Sequence, residues 1–232
     1  MNPCSRPWLP TGSITGRSGT FLAATSNLHI ILHGKGGHAA LPHQTIDPIV
    51  TAGKFIVELQ TLVSRELDPL KSGVVSITAV NGGRAFNVIP PAVELKGTIR
   101  ALALEDLRCL QARVSEIAEH LAQANRCEAT IDFPGYDCPP TVNEIHCWNL
   151  AKQISSDLLG SEHVTESPPI MGGEDFAYYL QKVPGCFLGL GIGNEAIGAS
   201  YSLHHPRFKV DENALAIGTA LHVMFALHSL RA

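Results

Sequence analysis

Asn27-Leu-His-Ile-Ile-Leu-His-Gly-Lys-Gly-Gly-His-Ala-Ala-Leu-Pro-His-Gln-Thr-Ile-Asp-Pro48 decides the fold, because its periodicity changes part-way along. Leu28, Ile30 and Leu32 fall on one face of an extended chain, with Asn27, His29 and His33 on the other. That period of two marks a half-exposed strand. Asp47 then supplies a side-chain acceptor for a helix N-terminus, and Pro48 suits the first turn. Beyond them Ile49, Ala52, Phe55, Ile56, Leu59, Leu62 and Val63 recur at helical spacing. Between strand and helix lies a glycine-lined stretch, Gly36 to His43, that holds two histidines.

Working outward, Ser72 to Val80 and Val93 to Arg100 read as strands, separated by the turn signals Asn81-Gly-Gly83 and Ile89-Pro-Pro91. Val93, Leu95, Gly97 and Ile99 alternate with Glu94, Lys96, Thr98 and Arg100. Leu107, Leu110, Val114, Ile117 and Leu121 mark a second helix, and Cys127, Ala129, Ile131 and Phe133 a closing strand. A βαββαβ order over residues 25–134 is the ferredoxin-like arrangement, an antiparallel sheet with two helices on one face.

Pro134 to Pro140 reads as a linker, and the character changes beyond it. A helix from about Asn143 to Leu159 leads to Ser167-Pro-Pro169 and Met171-Gly-Gly-Glu-Asp-Phe176. A short helix to Leu180, a buried strand-like run from Cys186 to Ile192 and a final helix follow. That helix is expected to be capped by Asp211 and to bury Leu215, Ile217, Leu221, Met224 and Phe225. Residues 141–232 therefore read as the C-terminal portion of an α/β domain, and residues 1–24 as a remnant of its first half. The fold class is α/β, with an α+β unit between the two pieces.

The 232 residues are 45 % hydrophobic and 16 % charged, ordinary for a soluble globular protein. A net charge of −4 argues against nucleic acid as the main partner. The six cysteines are scattered without a C-x-x-C pair, which favours free thiols in a reducing compartment. No run reaches the ~18 apolar residues of a membrane span, and the N-terminus lacks the apolar core of a signal peptide. The expectation is a cytoplasmic chain that binds no membrane, with an N-terminus that reads as incomplete.

Five motifs in order carry a resemblance. Gly-Gly-His-Ala-Ala-x-Pro-His is followed by Gly-Gly-x-Ala-x-Asn-Val-Ile-Pro (Gly82 to Pro90), Gly-Thr-Ile-Arg (Gly97 to Arg100), Gly-Gly-Glu-Asp-Phe and Leu203-His-x-Pro206. Together they resemble the metal-dependent amidohydrolases: aminoacylases, hippurate hydrolases, carboxypeptidase G-type enzymes and auxin-conjugate (IAA-amino acid) hydrolases. The resemblance implies a metallopeptidase-like catalytic domain with a ferredoxin-like lid inserted in it, and dimerisation through that lid. Residues 25–134 match the lid, and 141–232 match the C-terminal part of the catalytic domain. The half that supplies a cysteine, two histidines and a glutamate as ligands, plus a glutamate base, has no counterpart here. Cys4 stands in the register of one ligand histidine, but the first residues read as unrelated sequence, so it is not counted as a ligand.

By this resemblance His204 is a metal ligand, as an imidazole on a loop beside an open coordination position suits a divalent ion. Against it stands the plain reading of a surface loop histidine. His205 points elsewhere. His38 is implied as the catalytic donor to a substrate carbonyl or oxyanion, acting across a dimer, rather than a polar cap on a strand end. Asn87 can donate and accept at a substrate amide or carboxylate, and Arg100 can clamp a carboxylate with paired hydrogen bonds. Arg100 equally fits a plain exposed strand position. Glu174 and Asp175 read as wall groups, with Glu174 the candidate for substrate contact, although two carboxylates at a helix start are also favoured by the helix dipole. His43 is expected to fix the loop after His38.

The expected activity is cleavage of the amide bond of an N-acyl amino acid, with Mn or Zn as the divalent metal of the complete enzyme. This chain alone is expected to bind metal weakly or not at all, and to be inactive. A different reading is a non-catalytic dimerisation or binding module, a pseudoenzyme, that pairs as a homodimer through the lid. A third is a piece of a complete enzyme whose function is the family's.

Overall fold

A computed structural model describes residues 9–230 of the chain; Cys4 lies outside the described residues. The first half forms strands β1 (Ile14–Gly16), β2 (Gly19–Leu22), β3 (Ala24–His33) and β4 (Gly37–His38), then helix α1 (Pro48–Thr61). Strands β5 (Gly73–Asn81), β6 (Val88–Ile89) and β7 (Ala92–Ala101), helix α2 (Leu104–Ala124) and strand β8 (Glu128–Asp132) follow. Next come β9 (Thr141–Asn143), α3 (Ile145–Leu159), β10 (Val164–Glu166), α4 (Phe176–Leu180), β11 (Gly189–Leu190) and α5 (Asn213–Ser229). The chain divides into two compact units. One comprises Leu22–Thr141 with Ile170–Tyr178, the other the described part of Met1–Phe21 with Val142–Pro169 and the chain from Tyr179 onward.

The larger unit is built on a four-stranded sheet in the order β5-β7-β3-β8, with antiparallel pairing throughout. Numbered by appearance, that is second-third-first-fourth, the ferredoxin-like order. Leu28, Ile30, Leu32, Val93, Leu95 and Ile99 face one way and form a single core with Phe55 and Leu59 of α1 and Leu107, Leu110 and Val114 of α2. Each such buried side chain contributes roughly 1.5–3 kcal/mol. Asp47 caps α1 as its position suggested: its Oδ1 accepts from Ile49 N at 2.9 Å and from Val50 N at 3.4 Å. The sheet closes tightly at Gly97, where a Cβ would lie 2.1 Å from the Ser76 carbonyl oxygen, next to a register shift between Ile77 and Ala79.

The opposite sheet face is polar. Glu94 takes Lys96 Nζ at 3.0 Å, Asn81 Nδ2 at 3.0 Å and His29 Nε2 at 2.9 Å. Hydrogen bonding by Lys96 first, then Asn81 and His29, holds the Glu94 carboxyl down at about 2.

In the smaller unit β1 pairs parallel with β10 and antiparallel with β11. Its core is slight: Ile14, Ile154 and Leu221 are buried, with Ile217, Met224 and Phe225 packed partly against them. Two expectations are corrected here. Leu215 is 63 % exposed, because the inward stripe of α5 runs through Ala214, Ile217 and Leu221 and leaves Leu215 about 100° off it. The run from Cys186 to Ile192 is only half-buried apart from Gly191, and pairs as a strand only at Gly189–Leu190. Gly191 explains the short pairing, since a Cβ there would meet the Pro10 carbonyl oxygen at 1.9 Å. Among the described residues no helix is long and apolar enough to cross a membrane.

Candidate functional site

The stretch after β3 is pressed against the chain that enters β7. Gly34 N donates to the Pro91 carbonyl at 2.8 Å, and a Cβ at Gly34 would lie 2.3 Å from the Ile46 carbonyl oxygen. A Cβ at Gly36 would lie 2.8 Å from the Ile89 carbonyl oxygen, so only glycine allows this approach. β4 then pairs antiparallel with β6, setting Gly37 opposite Ile89 and His38 opposite Val88. Ala39 N donates to the Asn87 carbonyl at 3.0 Å. Two candidates from separate motifs, His38 and Asn87, thus meet on one two-stranded ribbon.

Both side chains are exposed. His38 Nδ1 accepts from Ala40 N at 3.1 Å. An accepting Nδ1 puts the ring proton on Nε2, which is left as a donor pointing away from its own loop's backbone bond. The Asn87 carboxamide has no partner among the described residues, so its donor and acceptor are both available. His43 lies in a single 3-10 turn, Pro42–Gln44, after His38, and its Nε2 meets Gln44 Nε2 at 3.4 Å.

The hairpin between β5 and β7 frames a groove of about 690 Å3, lined by Val80, Gly82, Arg84, Val88, Pro90 and Pro91 among others. A Cβ at Gly82 would strike Val93 Cγ2 at 2.7 Å, and Gly83 turns the chain with φ +76. Val88, the register partner of His38, forms part of the wall.

Arg100 and Glu174 belong to a second cluster of the same unit. Arg100 Nη1 donates to the Met171 carbonyl at 2.7 Å. Ala23 N donates to the carbonyls of Ile170 at 3.1 Å and Gly172 at 2.8 Å, while Cys138 Sγ donates to the Glu174 carbonyl at 3.2 Å. A Cβ on Gly173 would meet Thr25 Cγ2 at 2.6 Å. The Gly-Gly-Glu-Asp stretch is thereby stitched to β3 and β7. Glu174 is half-buried and its carboxylate makes no hydrogen bond among the described residues, and Asp175 is exposed. Burial pushes the Cys138 thiol up.

His204 lies in the smaller unit, in a turn, with φ +66. Left-handed backbone is uncommon for a residue with a Cβ and marks a position that its surroundings hold. Its neighbour is occupied elsewhere: the His205 ring stacks on Tyr201 at 4.3 Å, and His205 Nδ1 accepts from Arg207 N at 3.0 Å. Arg207 covers the Tyr201 ring at 4.5 Å. Among the described residues no three His, Cys, Asp or Glu side chains gather so as to hold a metal ion.

Three features escaped the sequence reading. Arg84 occupies the variable position inside Gly-Gly-x-Ala, where a lone cation between a glycine pair and an alanine was a visible signal. The Arg100–Met171 bond joins residues brought together only by folding, and the Tyr201–His205–Arg207 stack, though local, follows from the conformation of its turn.

Comparison with known proteins gives consistent matches. Residues 24–126 match the family described as the peptidase dimerisation domain. The chain is 42 % identical over 226 residues to IAA-amino acid hydrolase ILR1-like 2 of Arabidopsis thaliana, covering 96 % of this chain and 51 % of that protein. It is 41 % identical over 213 residues to N-acetyldiaminopimelate deacetylase of Enterococcus faecalis, covering 91 % of this chain and 54 % of the relative. Among solved structures, the YXEP protein of Bacillus subtilis, described as a dinuclear metal binding peptidase from the M20 family, superposes with a TM-score of 0.76. It is 29 % identical, and the match covers 98 % of this chain and 56 % of that one. The chain thus spans about half the length of the relatives that it matches.

Proposed function

We propose that the chain, whose residues 24–126 match the peptidase dimerisation domain, serves the hydrolysis of the amide bond of N-acyl amino acids as the part that holds the substrate. The observation that carries this reading is the pairing of Gly37–His38 with Val88–Ile89, which brings His38 beside Asn87. The relatives' names, a hydrolase of amino acid conjugates and a deacetylase, support amide cleavage as the reaction.

In this reading the Nε2 proton of His38 is donated to the scissile amide oxygen. That bond strengthens as negative charge develops on the oxygen, so it stabilises the transition state more than the bound substrate. Asn87 orients the amide or the carboxylate with its donor and acceptor, and the Glu174 carboxylate forms wall. Arg100 has one nitrogen committed to Met171, and its remaining N–H groups face the same task. His204 is the candidate ligand for a divalent ion, Mn or Zn, although among the described residues it does not stand in a group of three potential ligands. The chain by itself accordingly holds substrate without turning it over.

Assembly as a homodimer through the lid is part of the proposal. The outer edges of its sheet are β5 and β8. β8 carries Glu128 and Asp132 on a short strand, the protection typical of an edge kept unpaired. β5 is nine residues long and carries an exposed Val80 one residue from its end, which makes it the edge for a second copy.

Titration of the isotope-labelled chain with N-benzoylglycine tests the reading. Chemical-shift changes at His38 and Asn87, with no benzoate released in Mn or Zn buffer, are expected. Shifts confined to other parts of the chain, or clear turnover by the chain alone, would contradict it.

A further inference from the structure

Cys147 and Cys186 are both free thiols of the smaller unit, whereas Cys109, Cys127 and Cys138 belong to the larger one. Cys147 stands in the first turn of α3, and Cys186 in the run that leads to β11. Hydrogen bonds on both sides of Cys186 tie these two places together. Before it, the Gly185 carbonyl accepts from Glu144 N at 3.0 Å. After it, Phe187 N donates to Asn143 Oδ1 at 2.7 Å, and Asn143 Nδ2 donates to the Phe187 carbonyl at 2.9 Å. Asn143 is buried, so this clamp is held in place. Glu144 then turns toward Cys147: its Oε2 accepts from Cys147 N at 2.8 Å, and its carboxylate meets the Cys147 thiol. The two cysteines thus gather round one residue, Glu144. Burial pushes both thiols up, and for Cys186 the Cys147 thiol beside it adds to the effect.

We propose that Cys147 and Cys186 are an oxidation-sensitive pair, which closes to a disulfide when a small-molecule disulfide such as oxidised glutathione supplies the oxidant. Cys147 follows the exposed Ile145 and His146, which makes it the thiol that the oxidant reaches first. Its thiolate attacks one sulfur of the oxidant, the oxidant's S–S bond breaks, and one glutathione leaves as thiolate. The Cys186 thiolate then attacks Cys147 Sγ, and the second glutathione leaves. The protons given up by the two cysteines pass to the two departing thiolates, so the pair is oxidised and the oxidant reduced. Burial shields Cys186 from reagents in solution, and its neighbour on α3 is the route by which it reacts. An uncharged disulfide also suits this half-buried place, where a lasting thiolate does not. The bond joins α3 to the segment entering β11, the strand that pairs with β1. It ties helix to sheet in a unit whose core is slight.

The test is incubation of the full chain with oxidised glutathione under native conditions, followed by digestion without reductant and peptide mass spectrometry. The expected result is a cross-linked peptide that holds Cys147 and Cys186 and is lost on treatment with dithiothreitol. Cys186→Ser removes the second thiol and traps glutathione on Cys147, whereas Cys147→Ser leaves Cys186 unmodified. Oxidation of the intact chain slows hydrogen exchange at residues 185–190 and leaves α1 and α2 as they were. The exposed Cys109 reports on the reagent, since its glutathione adduct shows that the oxidant was active. A chain that carries this adduct but no Cys147–Cys186 cross-link overturns the proposal. So does a cross-link that forms only in urea, where the fold no longer chooses which cysteines meet.

Discussion

Arg100 on β7 donates from Nη1 to the backbone carbonyl of Met171, 71 residues later, at 2.7 Å. A half-buried guanidinium thus pins the start of the Gly-Gly-Glu-Asp stretch onto the four-stranded sheet. Arg100→Met retains much of the apolar stem and removes the bond. It is expected to cost about 1.5–3 kcal/mol, the range for a hydrogen bond from a charged donor. Hydrogen exchange would locate the loss: amides of residues 170–178 exchange faster while those of α1 and α2 keep their protection. Unchanged exchange in 170–178 would remove the anchoring role.

Gly97 sits where β7 presses on β5, and any side chain would strike the Ser76 carbonyl oxygen at 2.1 Å. The neighbour is backbone and cannot swing aside, so Gly97→Ala is expected to destabilise by about 1–3 kcal/mol or more, as overpacked cores do. Urea denaturation of the variant checks this against Gly53→Ala, a position with nothing within 4 Å of the added methyl. Equal midpoints would refute the close contact.

Acid sensitivity follows from Glu94. Its carboxyl, ordinarily near 4.5, is held at about 2 by Lys96, Asn81 and His29. The folded state thus favours the charged form. The contribution is fully present above about 4.5 and is lost as pH falls toward about 2. Thermal melts between these limits should show stability falling with acidification, and Glu94→Gln should flatten that slope. A slope that persists unchanged in the variant would assign the acid sensitivity to other carboxylates.

The cysteines differ in reactivity. Burial, with smaller contributions from Cys147 and Glu144 nearby, pushes the Cys186 thiol up to about 12. Cys109 is exposed on α2. Thiolate is the reactive form and access is also needed, so limited iodoacetamide treatment at pH 8 should modify Cys109 ahead of Cys186 and of the buried Cys127. Peptide mass spectrometry reads the order directly, and early labelling of Cys186 would contradict its burial.

The larger unit was legible because its signals are local. The alternation Leu28-Ile30-Leu32, the helical spacing from Ile49 to Leu59 and the Asp47-Pro48 start each follow from a short stretch, and β3, α1 and the cap appear where those patterns put them. The smaller unit was less so. Leu215 is as apolar as Leu221, and only the rotation of α5 against β1 and α3 sets one outside and the other in the core. The corner of His38 and Asn87 was visible as two glycine-rich motifs, but not as a pair. Their meeting depends on β4 and β6 pairing across fifty residues of chain, an outcome of folding that neither motif encodes alone. Arg84 was hidden because a motif draws attention to its fixed positions and not to the residue between them.

The most direct test of the substrate-holding corner is the affinity of N-benzoylglycine for the intact chain, for His38→Ala and for Asn87→Ala, measured under one set of conditions. Both positions are exposed, so the substitutions leave the core untouched. Loss of one hydrogen bond at each position predicts weakening of about three- to tenfold in both variants. Affinities equal to that of the intact chain in both would show that this corner does not hold the ligand.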